Sequence, residues 1–77
     1  MNTRPLYEIA RDIKKNWNPV NYAAKPYLDA MSQLTSIHDN YIFDSGESVV
    51  LYFLSNASTW RGEIARQIKS ELKSMLK

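Results

Sequence analysis

Apolar residues recur with the period of an α-helix at both ends of the chain. Between Arg4 and Trp17, the residues Leu6, Ile9, Ala10, Ile13 and Trp17 share one face, and Arg4, Glu8, Arg11 and Lys15 share the opposite one. Thr3 can cap this first helix, and Pro5 suits its first turn, where a missing N–H costs nothing. Glu8 stands four residues after Arg4 and three before Arg11, so the outer face can pair with itself. From Trp60 to the end, Trp60, Ile64, Ala65, Ile68, Leu72, Met75 and Leu76 cover one arc of a last helix. Arg66, Lys69, Lys73 and Lys77 form a stripe almost opposite that arc, and basic residues late in a helix suit the negative end of its dipole. Gly62, in the first turn, implies close backbone approach or a loosened start.

The middle of the chain is punctuated by proline. Asn18-Pro19 breaks the first helix, and Pro26 interrupts any helix begun at Pro19, since an interior proline costs about 3 kcal/mol. The pattern predicts a short turn over Val20 to Ala24 and a helix restarting at Pro26, with Tyr27, Leu28, Met31 and Leu34 on its apolar face. Thr35 to Phe43 has no period and reads as a loop or a short helical turn. Asp44-Ser45-Gly46-Glu47 matches a capping box, opening a third helix to about Asn56. Its core, Val49 to Leu54, also suits a strand. The capping box and the lack of a partner strand favour a helix, apolar nearly all round and central to the core.

The expected architecture is therefore all-α, a single domain over residues 1–77. It is a small bundle of three main helices plus a short proline-interrupted helix. Leu6, Ile13, Leu28, Met31, Val50, Phe53, Leu54, Ile64, Ile68 and Leu72 are expected in its core. A 44% apolar and 23% charged composition supports a folded chain rather than a disordered one. The presence of only two glycines argues against a turn-rich β fold.

Composition narrows the chemistry. With no cysteine there is no disulfide, thiolate metal site or cysteine nucleophile, which fits a reducing compartment. The longest apolar run, Val49 to Leu54, is too short for a membrane span or a signal-peptide core, so a cytoplasmic protein without a membrane partner is expected. His38 is the single histidine, beside Asp39, whereas a zinc site normally takes three or four protein ligands. Asp39 and Asp44 could approach one another, but Asp44 is explained as a cap. No glycine-rich phosphate loop occurs. Asn56-Ala57-Ser58 fits a glycosylation acceptor and equally a helix end. The expectation is a protein that is not an enzyme and takes no cofactor and no metal.

Two binding surfaces stand out. The net charge is +2, but residues 1–17, 18–59 and 60–77 carry +2, −3 and +3. Arg61, Arg66, Lys69, Lys73 and Lys77 could line the phosphates of a nucleic acid, and the same stripe is what a solvated helix face looks like. The chain is also rich in aromatic residues, which are favoured at interface anchors and equally at home in a small core. Trp60 and Arg61, after the cap-rich connector, are the first candidates for a protein partner or a second copy in a homodimer. Tyr22 and Tyr27, flanking Pro26, are the next.

The segments Asn21 to Met31, Val50 to Gly62 and Ala65 to Leu72 resemble small uncharacterised proteins of prophages and mobile elements in Gram-positive bacteria. The likeness spans the chain from about Leu6 onward. It supplies no catalytic residues. It implies an accessory protein of a phage or mobile element, of a kind that binds a host protein or nucleic acid.

Overall fold

The computed structural model describes residues 4–76. Helix α1 runs Leu6–Asn16 and buries Leu6, Ile9, Ala10 and Ile13, as its period requires. Thr3, its expected cap, lies outside the described residues. The first turn is instead satisfied from across the molecule. The N–H groups of Leu6 and Tyr7 donate to the carbonyls of Thr35 and Leu34, both at 2.9 Å.

After α1 the chain turns through residues 17–24. The Asn21 side chain accepts from the N–H of Ala23 at 2.8 Å, and its carbonyl accepts from Ala24 at 3.0 Å. That turn leads into α2, Lys25–Met31, with Pro26 in the first turn, where it displaces no hydrogen bond. Leu28, Ala30 and Met31 are buried, and Leu34 follows them into the core.

The all-α expectation is corrected in the next segment. Residues Asn40–Tyr41 (β1) and Asp44–Ser45 (β2) pair antiparallel, Asn40 with Ser45 and Tyr41 with Asp44. The architecture is thus mostly helical with one small hairpin. The two strands pair only with each other, and the Val49 to Leu54 run that follows is helical, as the absence of a partner strand for it implied. Before the hairpin, the Asp39 carboxylate accepts from the N–H groups of Thr35 and Ser36, both at 3.0 Å, and fixes that turn.

Helix α3 spans Gly46–Ser55. Its cap is Ser45 rather than Asp44. The Ser45 Oγ accepts from the Ser48 N–H at 3.1 Å, so the capping signal was real but displaced by one residue. Gly46 lies against the preceding loop, and a Cβ there would sit 2.7 Å from the Ser36 carbonyl oxygen. Two bonds seal this contact: the Gly46 N–H donates to the Asp39 carbonyl at 2.6 Å, and the Glu47 N–H to that of Ile37 at 3.0 Å. Helix α3 packs chiefly on α2 and buries Val49, Val50 and Phe53. It is not covered all round, because Leu51 and Tyr52 remain half-exposed.

Helix α4 spans Glu63–Met75 and buries Ala65, Ile68 and Leu72. It begins three residues later than the apolar pattern suggested. Gly62 precedes it at φ 115°, a conformation that L side chains rarely adopt, and a Cβ there would meet nothing within 4 Å. The glycine therefore serves the turn and not a close approach. The turn leaves Trp60 in the core, 5% exposed, with its ring stacked on Trp17 at 5.3 Å. Trp17 in turn meets Phe53 edge-on at 6.2 Å. Ile64 was expected in the core, yet in the first turn of α4 it is left half-exposed. Leu54 is only partly buried.

Charge fastens the two terminal helices. The Arg4 guanidinium binds Glu71 through both oxygens, at 2.9 and 2.8 Å, and also donates to Asp12. Its contact with Glu8 is longer, 3.8 Å, so Arg4 pairs both with α1, through Asp12, and across to Glu71 of α4. No helix among the described residues is long and apolar enough to cross a membrane.

Candidate partner-binding surface

The aromatic candidates do not form one surface. Trp60 is buried in the stack on Trp17 and is unavailable to a partner, which corrects its assignment as a contact residue. Its neighbour Arg61 is exposed. Tyr27 is partly buried, and its ring packs against Tyr52 of α3 at 5.4 Å. Tyr22 stands free in the turn before α2, 91% exposed.

The basic stripe is thinner than its sequence implies. Lys69 is half-buried, and its Nζ donates to the Trp60 carbonyl at 2.6 Å, tying α4 to the connector before it. Burial, then the charges of Lys73 and Arg61, lower the Lys69 pKa. Arg61, Arg66 and Lys73 are exposed, and among the described residues none has a carboxylate within 4.0 Å. Lys77 lies outside the described residues.

The surface that sequence reasoning missed is the tip of the hairpin. Ile42 and Phe43 form its two-residue connection and are 73% and 98% exposed. Ile42 has φ 57°, the left-handed region, where a β-branched residue is a genuine outlier. Two-residue hairpin loops normally place glycine or asparagine at such a position. Here the chain holds a large apolar side chain in costly backbone and points its neighbour into water. The base of the hairpin is anchored, since Tyr41 packs against the core. The two-residue spacing between Tyr41 and Asp44 was the available signal, but without glycine or asparagine it did not read as a turn.

Two acidic residues follow this tip, Asp44 in β2 and Glu47 in the first turn of α3. Asp44 and Glu47 are exposed, with no cation within 4.0 Å among the described residues. His38 is exposed in the loop before the hairpin. It lines a groove of about 540 Å³ together with Tyr7, Ile37 and Met75. The Asp39 carboxylate is engaged in its own turn, accepting from the Thr35 and Ser36 N–H groups. Among the described residues no three histidine or acidic side chains cluster as metal ligands would.

No protein-family model matches the chain, and neither a curated protein nor a solved structure shows significant similarity to it.

Proposed function

We propose that this chain is a non-enzymatic, cytoplasmic interaction protein that grips a protein partner with the apolar tip of its hairpin. The observation that carries the reading is the Ile42–Phe43 pair, 73% and 98% exposed, held with Ile42 in left-handed backbone. Exposed isoleucine and phenylalanine side chains each gain about 1.5–3 kcal/mol when fully buried. A short, anchored turn presents them with little freedom left to lose on binding. Residues held in sparsely populated backbone regions cluster at functional sites. The resemblance to small proteins of prophages and mobile elements supports an accessory role, as the partner-binding piece of such an element.

A second reading rests on Arg61, Arg66 and Lys73, which are exposed and unpaired among the described residues and suit nucleic-acid phosphates. A nuclease-treated pull-down from host extract separates the two. Phe43→Ser is expected to release the retained protein while circular dichroism shows an unchanged helix content. The double variant Arg66→Glu, Lys73→Glu is expected to keep a hetero-partner. Retention by Phe43→Ser would refute the hairpin reading, and a captured species that vanishes with nuclease would favour the second.

A further inference from the structure

The charge of the chain is divided in a way that the hairpin makes useful. Residues 26–60 contain no lysine or arginine, and all ten basic residues lie outside that segment. The same segment holds Asp29, Asp39, Asp44 and Glu47. Asp29 is met by Lys14 of α1 at 3.5 Å, and Asp39 caps its own turn. Asp44, next to the apolar tip, and Glu47, in the first turn of α3, have no cation within 4.0 Å among the described residues. Helix α4 has the opposite condition: Arg66 and Lys73, seven residues apart and so on one face, are exposed and have no carboxylate within 4.0 Å among the described residues, and the exposed Arg61 stands just before the helix.

We infer that the hairpin tip of one chain docks on the α4 surface of a second copy. This rests on the hairpin reading above and names its occupant. Phe43 and Ile42 supply the apolar contact, and Asp44 and Glu47 meet Arg66 and Lys73 of the neighbour. Charge complementarity of this kind steers encounter and fixes register. The sign of the flanking charges disfavours the alternatives, because an acid-rimmed tip is repelled by nucleic acid and by anionic lipid. Tip and receiving face are different surfaces, so the contact is head-to-tail. It leaves one of each unused in a dimer and permits further addition.

Sedimentation velocity on the full chain over rising concentration, at about 0.01 M and about 1 M salt, tests this. The screening lengths are then about 30 and 3 Å. The expected result is reversible association at low salt, with species beyond the dimer at the highest concentrations, weakened at high salt. Phe43→Ser should weaken it at least about tenfold, the size expected of an interface anchor. Arg66→Glu with Lys73→Glu should abolish it. Mixing that variant with Asp44→Lys, Glu47→Lys should restore a pair. A monomer at every concentration and both salts overturns the second-copy occupant and leaves the hairpin reading to the pull-down. Association that survives Phe43→Ser, or mixed variants that stay apart, overturns it as well. A monomer whose Arg66 and Lys73 bind duplex DNA overturns it in favour of a nucleic-acid face.

Discussion

Ile42 is the position at which the fold pays most visibly for its surface, and replacing it with asparagine gives a quantitative test. Left-handed backbone costs an L residue roughly 1–2 kcal/mol, and asparagine adopts it far more readily than a β-branched residue. Against this stands the burial that isoleucine retains. It is 73% exposed, so only about a quarter of a burial gain of about 1.5–3 kcal/mol is lost. The net expectation for Ile42→Asn is a stabilisation of roughly 0.5–1 kcal/mol. In a domain of this size that raises the midpoint of thermal unfolding by about 2–8 °C. Calorimetry and urea denaturation read the change directly, and the pull-down reads its cost, since the same substitution removes half of the proposed contact. A more stable variant that has lost its partner is the signature of strain kept for binding. If Ile42→Asn is destabilised, or unchanged in stability with full binding, the reasoning from left-handed strain fails.

Other positions test the rest of the account. Gly46→Ala places a Cβ 2.7 Å from the Ser36 carbonyl oxygen and 2.8 Å from the Ile37 Cα, both backbone atoms, and should cost about 1–3 kcal/mol in urea denaturation. Trp60→Ala empties the stack on Trp17 and should cost about 3–5 kcal/mol, much of the roughly 4–12 kcal/mol expected for a chain of this length. A loss below about 1 kcal/mol would mean that Trp60 is not the buried ring described above. NMR titration of the lysine amines should show one resonance, abolished by Lys69→Arg, that deprotonates below the ordinary lysine value. Because burial opposes its charge, the unfolded chain holds that proton more tightly. The Lys69 contribution to stability should therefore rise with pH across the interval between its folded and ordinary values.

The helices were legible where one periodic face decides burial. In α1, Leu6, Ile9, Ala10 and Ile13 all lie in the core, and Pro26 opens α2 where proline is tolerated. The hairpin was not legible, because its cause is non-local. Asp39 takes the N–H groups of Thr35 and Ser36, and Gly46 and Glu47 bond back to the Asp39 and Ile37 carbonyls. No local propensity encodes that closure. The same limit misplaced Trp60, whose burial depends on the Gly62 turn and on Trp17, far away in sequence. Of the candidate surfaces, Arg66 and Lys73 were readable from helical spacing, whereas Arg61 lies before the helix. Lys69 was not separable from them, since its bond to the Trp60 carbonyl appears only in three dimensions. Ile42 and Phe43 broke the turn chemistry that normally marks a hairpin, and that departure is what makes them candidates.

The most direct test replaces Phe43 with a photo-crosslinking phenylalanine analogue in the intact chain, in cells. The same analogue at the exposed Gln33 serves as control. The account predicts a specific protein adduct at 43 and not at 33, with the mass of a second copy if the head-to-tail contact holds. An adduct pattern identical at the two positions, or none at 43, would contradict the claim that the hairpin tip is where this protein meets its partner.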